Sequence, residues 1–126
     1  MKTRFFGILA LLLAVALPAA AADLAGRWTA EFDSPIGVQK YVYEFKKSGD
    51  AVTGEATYDH SMGKGTVPLS NIKVDGDKVT FTENASFMEM PLSITYTGNF
   101  AGNDEIKFTR VVVADSPETF VAKRSK

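Results

Sequence analysis

Two charged residues stand where an alternating strand should carry apolar side chains. Glu83 stands two residues after Phe81, and Arg110 stands two residues after Phe108. Successive residues of a strand point to opposite faces, so both charges should turn inward with those rings. One interpretation is a polar site for the head group of an amphipathic ligand, such as a carboxylate held by Arg110.

Two structural alternatives remain open for this pair. Glu83 and Arg110 could simply pair with each other in the interior, since buried charges need a hydrogen-bonded partner. A β-bulge could instead turn one of them to solvent. Tyr43 and Tyr96 fall near the middle of their strands and could offer hydroxyl groups to either buried arrangement.

A group of apolar residues lies in or beside the connecting segments. It consists of Met62, Phe87, Met88 and Met90, with Phe32, Tyr41, Tyr58 and Phe120 nearest to it. Methionine adapts to varied apolar shapes, so the group could admit a lipid-like ligand or dock a partner protein. It could equally plug the end of the fold. The residues predicted to bind a ligand are Phe32, Tyr41, Tyr58, Met62, Glu83, Phe87, Met88, Met90, Tyr96 and Arg110.

Catalytic and metal-binding patterns are weak. Asp59, His60 and Ser61 have the residue types of a hydrolase triad, but a triad is a spatial arrangement that adjacent residues rarely form. His60 is the single histidine, and the chain has no cysteine. We therefore expect a protein that is not an enzyme and has neither a metal site nor a cofactor.

The start of the chain has the pattern of a cleavable signal peptide. Lys2 and Arg4 precede an uncharged apolar run at 5–17, and small residues at 20–22 offer a cleavage site. The prediction is a signal peptide at 1–22 and one domain at 23–126, without a lipid anchor or transmembrane segment. Without those two basic residues the charge is 12 − 15 = −3, which indicates no nucleic-acid partner. The expected location is the periplasm or the extracellular space, and the oligomeric state stays unknown.

A turn pattern that occurs three times predicts the fold. Gly49, Gly76 and Gly102 lie 27 and 26 residues apart, each next to Asp or Asn and followed by alternating apolar and polar residues. Eight segments have strand patterns: 26–32, 38–47, 51–58, 66–74, 78–87, 92–100, 105–113 and 119–124. All twelve aromatic residues after residue 22 fit the inward set. The prediction is an all-β, eight-stranded antiparallel up-and-down barrel, because closure removes free sheet edges.

The connections predict two different ends of such a barrel. The three glycine turns should share one end. The other four connections, at 33–37, 59–65, 88–91 and 114–118, should share the opposite end, where we expect longer, irregular loops and the mouth.

Gly26, Trp28 and Arg124 then carry a family resemblance. The chain resembles the calycins, the superfamily of lipocalins, fatty-acid-binding proteins and avidins. In these proteins a Gly-x-Trp lies at the closed barrel end, and a basic residue from the last strand covers the tryptophan. More broadly it resembles small secreted bacterial lipocalin-like domains, some of which accompany carbohydrate-active enzymes. The resemblance implies a binding protein for a small hydrophobic or amphipathic ligand. The alternative is an accessory module with a filled core that docks a protein or a carbohydrate.

Overall fold

A computed structural model describes residues 23–125, which form one closed barrel of eight strands. The strands are β1 (Gly26–Ser34), β2 (Gly37–Ser48), β3 (Ala51–His60), β4 (Gly63–Asp75), β5 (Lys78–Phe87), β6 (Met90–Phe100), β7 (Glu105–Val111) and β8 (Glu118–Arg124). Each strand pairs antiparallel with the next, and β1 also pairs with β8. The predicted up-and-down all-β barrel is confirmed. The predicted signal peptide lies outside the described residues.

Aromatic rings fill the middle of the barrel. Tyr96 packs face to face with Phe81 at a centroid distance of 4.4 Å and edge-on to Tyr43 at 5.7 Å. Gly98 makes room for this packing, since a Cβ there would lie 2.5 Å from the ring of Phe108. Burying such rings is the main source of stability for a chain without disulfides. Phe87 departs from the predicted inward set, because it is 47% exposed at the end of β5.

The end with the glycine turns is closed by the residues that carry the calycin resemblance. The guanidinium of Arg124 lies over the indole of Trp28, 4.3 Å from the ring centroid. Trp28 Nε1 donates a hydrogen bond of 2.9 Å to the carbonyl oxygen of the buried Leu24. Gly26 has a φ of +125°, and a Cβ at this position would approach Arg124 Nη1 to 3.0 Å. A glycine therefore fits both the backbone conformation and the space beneath the arginine.

The opposite end differs from the expectation of long loops. Three of its four connections are two-residue turns, at 35–36, 61–62 and 88–89, and only 112–117 is longer. The strands continue beyond the predicted boundaries because Ser34 pairs with Gly37, His60 with Gly63 and Phe87 with Met90. The prediction of irregular loops at this end is therefore wrong for three of the four.

One hairpin of this end extends beyond its neighbours. The last register pairs that link β5 to β4 and β6 to β7 are Leu69 with Glu83 and Thr95 with Val111. Beyond them, within the described residues, β5 and β6 pair only with each other. We call residues 84–93 the β5–β6 arm. It is held laterally by the side chain of Asn84, which donates to the carbonyl oxygen of Pro68 at 3.3 Å.

Candidate functional site

A cavity of about 520 Å³ lies at the end that carries the β5–β6 arm. Its floor is polar and its walls and rim are apolar. The floor is formed by Gln39, Tyr41, Glu83, Arg110 and Glu118. The walls and rim include Ile36, Tyr58, Met62, Ala85, Phe87, Met88, Leu92, Ile94, Val112 and Val113. The volume lies within the range of pockets that hold small molecules.

Glu83 is 1% exposed and is held at the floor by two tyrosines. Tyr96 donates a hydrogen bond of 2.6 Å to Glu83 Oε1, and Tyr41 donates one of 3.0 Å to Glu83 Oε2. The hydroxyl of Tyr43 lies 3.0 Å from that of Tyr96 and extends the network downward. Both carboxylate oxygens therefore have donors, as a buried carboxylate requires.

Arg110, which is 2% exposed, donates from all three of its nitrogen atoms. Nε donates to Glu118 Oε1 at 2.7 Å, Nη1 to the hydroxyl of Tyr96 at 3.0 Å, and Nη2 to Gln39 Oε1 at 3.0 Å. Arg110 Nη1 also lies 3.6 Å from Glu83 Oε1. The structure therefore brings together the two charges singled out in the sequence, and it adds Gln39 and Glu118 to them.

Aromatic rings cover the guanidinium of Arg110. Its central carbon lies 4.9 Å from the ring centroid of Phe32 and 5.0 Å from that of Tyr41. Phe32 in turn stacks on Phe120 at 4.2 Å. Phe32 lies on β1 and Phe120 on β8, and the register pairs of these two strands within residues 23–125 are Trp28–Arg124 and Thr29–Lys123. Cation–π contacts of this kind strengthen when water is excluded.

Burial sets the protonation states of the network. Burial raises the pKa of Tyr43 and of Tyr96 well above the ordinary value. Burial and the nearby carboxylate of Glu83 likewise raise the pKa of Tyr41. Burial alone would lower the pKa of Arg110, but Tyr96, Tyr41 and Glu118 outweigh it and raise that pKa. At neutral pH the three hydroxyls stay protonated and the guanidinium stays charged.

Two residues of the floor, Gln39 and Glu118, were not among the predicted site residues. Gln39 is 4% exposed and is in phase with Tyr41 and Tyr43 on β2, so strand alternation already placed it inside. Glu118 begins β8 and pairs in register with Arg110. Its predicted position in a loop concealed this contact, because the strand boundary was placed one residue too late.

The predicted ligand-binding residues occupy three levels. Tyr41, Tyr58, Met62, Glu83, Phe87, Met88 and Arg110 line the cavity. Phe32 and Tyr96 contact Arg110 from beside and below the floor. Met90 is 68% exposed on the β5–β6 arm and is not a lining residue.

The turn at the tip of the β5–β6 arm has an unusual backbone. Met88 and Glu89 both have positive φ values, 52° and 67°. Two such residues in a two-residue hairpin form the turn that usually selects Asn-Gly, because other side chains are strained there. Met88 is nevertheless 80% exposed. The strained turn presents an apolar side chain at the rim of the cavity.

The Asp59-His60-Ser61 segment forms local contacts. Ser61 Oγ donates to the carbonyl oxygen of Ile36 at 2.6 Å, and His60 Nδ1 accepts from the amide of Met62 at 3.2 Å. The imidazole stacks on Tyr58 at 4.9 Å. Serine and histidine therefore each bond to backbone of the rim turns. In residues 23–125, no three His, Cys, Asp or Glu side chains converge as a metal site would need.

No helix within residues 23–125 is long and apolar enough to cross a bilayer. Comparison of the chain with protein-family models, curated proteins and solved structures finds no match.

Proposed function

We propose that this protein is a non-enzymatic binding protein that holds a small hydrophobic or amphipathic molecule in the cavity beneath the β5–β6 arm. The observation that carries the proposal is the cavity of about 520 Å³ with apolar walls and a polar floor. An amphipathic molecule would place its chain along Leu92, Ile94 and Val112 and its polar end near the floor. Each part of the molecule would then find a matching surface.

The rim supports entry from this end. Its exposed apolar side chains are Ile36, Met62, Phe87, Met88 and Val113. The β5–β6 arm can move without breaking register pairs to β4 or β7, since within the described residues it has none. Strained backbone at exposed positions often accompanies function, and Met88 is such a position.

The fold and the leader extend this proposal. An eight-stranded up-and-down barrel with a cation over its closing tryptophan is consistent with a calycin-like protein. Together with the predicted signal peptide, this supports a binding protein that acts in the periplasm or outside the cell.

Titration with a hydrophobic fluorescent dye tests the proposal. We expect saturable binding at micromolar concentration, because an apolar pocket of about 520 Å³ can bury most of a small hydrophobic molecule. A charge placed at the rim by Phe87→Glu should weaken binding by about tenfold or more, since entry would then require desolvating a carboxylate.

Val74→Glu is the matched control. Val74 is an exposed apolar residue next to the last residue of β4, at the closed end of the barrel. This variant should therefore bind dye like the unmodified protein. Equal loss in both variants, or no saturable binding at all, would refute the pocket. If saturable binding is found, mass spectrometry of molecules that remain bound after gentle purification would identify the natural ligand class.

The exposed rim also favours a second candidate. The same apolar side chains, with Met90 and Val38, could dock a protein or a carbohydrate while the interior serves only as a core. Absence of dye binding together with co-purification of a partner that Phe87→Glu releases would support this accessory role instead.

A further inference from the structure

We propose that the cavity selects ligands whose polar end is a neutral hydroxyl group, which accepts a hydrogen bond from Gln39 and donates one to Glu118. Alcohols with an alkyl chain are the simplest members of this class. The inference rests on the proposed binding function and adds the chemistry of the ligand's polar end.

Arg110 is poorly placed to receive a carboxylate. Each of its nitrogen atoms already donates to Glu118, Tyr96 or Gln39. The rings of Phe32 and Tyr41 lie over the guanidinium at about 5 Å. A carboxylate on the ligand would have to displace one of these partners. The arginine instead holds the side chains of Gln39, Tyr96 and Glu118 in position at the floor.

Gln39 retains unused hydrogen-bond donors. A guanidinium can only donate, so the amide of Gln39 must turn its oxygen toward Arg110 and its NH2 group away. Within residues 23–125 this NH2 group makes no hydrogen bond. Every fully buried side-chain polar atom in that range has a partner, so the NH2 group is not fully buried. Since Gln39 lines the cavity, its free donors face the ligand.

Glu118 supplies the complementary acceptor. Its Oε1 accepts from Arg110 Nε, while its Oε2 accepts no hydrogen bond within the described residues. Nε and Nη2 of a guanidinium point along the same edge, so the partners of these two atoms lie side by side. A single hydroxyl oxygen placed between Gln39 and Glu118 satisfies one donor and one acceptor.

The charge around the cavity disfavours an anion. The floor holds two carboxylates, Glu83 and Glu118, against the one guanidinium of Arg110. An incoming carboxylate would be repelled and lose solvation, whereas a hydroxyl carries no such cost. An ammonium head group can only donate hydrogen bonds, so it would leave the NH2 group of Gln39 without an acceptor.

Competition between three probes of equal chain length tests the inference. 1-Decanol, decanoate and decylammonium are each used at pH 7 to displace a bound hydrophobic dye from the purified protein. We expect decanol to bind about tenfold more tightly than decanoate, which corresponds to one mismatched polar contact. Decylammonium should fall below decanol.

Two substitutions assign the selectivity to the floor. Glu118→Gln removes the free carboxylate and should bring decanoate to within about threefold of decanol. Glu89→Gln removes a rim carboxylate that does not line the cavity and should leave the original preference. Gln39→Met removes the free donors and should weaken decanol binding, and this variant also serves if Glu118→Gln does not fold.

Tighter binding of decanoate or decylammonium than of decanol would overturn the hydroxyl inference while dye binding still upheld the proposed function. Equal changes in the preference for decanol from Glu118→Gln and Glu89→Gln would also overturn the hydroxyl inference, because the preference would then come from long-range electrostatic repulsion. Failure of the dye and all three probes to bind would reject the proposed function itself and the inference with it.

Discussion

Arg110 and Glu83 form a buried ion pair whose closest N–O distance, 3.6 Å, is longer than a hydrogen bond. The hydroxyl of Tyr96 connects them by accepting from the arginine at 3.0 Å and donating to the glutamate at 2.6 Å. The two charges are thus coupled through a tyrosine. Because such a pair is costly to desolvate, each charge depends on the other for stability in the interior.

Arg110→Met should lower the free energy of unfolding by about 3–5 kcal/mol, because Glu83 would remain buried, and Glu118 partly buried, without their cation. Adding Glu83→Gln should recover at least about 1 kcal/mol of that loss, since the amide keeps an acceptor for Tyr96 without the charge. Urea unfolding of both variants, with Glu83→Gln alone to complete the cycle, measures the coupling. Additive losses would contradict a shared network.

Stability should decrease at high pH because of the buried tyrosines. The pKa values of Tyr41, Tyr43 and Tyr96 are raised in the folded state, whereas in the unfolded chain they return to about 10. The unfolded state therefore loses protons first, so stability is complete below pH 10 and falls above it. Each tyrosine should remove about 1.4 kcal/mol per pH unit in that range.

Urea unfolding between pH 8 and pH 12 measures this slope. Tyr43→Phe should make this slope shallower by about the contribution of one tyrosine. Among the three tyrosines this substitution is the mildest, because Tyr96 keeps its bonds to Glu83 and Arg110. The absorbance rise of the buried tyrosinates should appear together with the loss of far-ultraviolet circular dichroism. Complete ionisation in a still folded barrel would disprove the assignment.

Strand alternation predicted most of the barrel interior, although it did not predict that Phe87 is exposed at the end of β5. Glu83 and Arg110 lie inside because a two-residue period leaves them no other face. The contacts between strands that are distant in sequence were beyond this argument. The link between Gln39 and Arg110 crosses the barrel, and it depends on strand tilt and stagger, which a one-strand pattern does not contain.

Turn residues predicted one end of the barrel better than the other. Gly49 and Gly76 have positive φ values near 60°, as two-residue turns at these positions favour. The turn at Met88 and Glu89 has positive φ values without glycine. Local preference argued against a tight turn there, and the pairing of Phe87 with Met90 in the sheet overrode it.

Arg124→Lys should destabilise the closed end by about 1–3 kcal/mol even though the charge is kept. The arginine lies over Trp28 and donates to the carbonyl oxygens of Asp23, Ala25 and Asn103. A lysine ammonium lacks the planar fork that forms these contacts together.

Thermal unfolding followed by tryptophan fluorescence measures this loss, since Trp28 is the one tryptophan of the chain. Arg27→Lys is the control: Arg27 is exposed, and its contact with Glu44 is 3.9 Å, so the change should stay within about 0.5 kcal/mol. Equal effects of the two substitutions would mean that the cap over the indole contributes no stability of its own.

The strained tip of the β5–β6 arm predicts opposite effects on stability and on binding. Replacing Met88 with Asn and Glu89 with Gly gives the turn the residues that its backbone favours, and should raise the free energy of unfolding by about 1–2 kcal/mol. The same variant loses the exposed thioether at the rim, so hydrophobic dye should bind more weakly. Glu89→Gly alone should provide part of the stabilisation while leaving dye binding unchanged, because Glu89 does not line the cavity. A double variant that gains stability and binds dye as before would show that Met88 has no part in ligand entry.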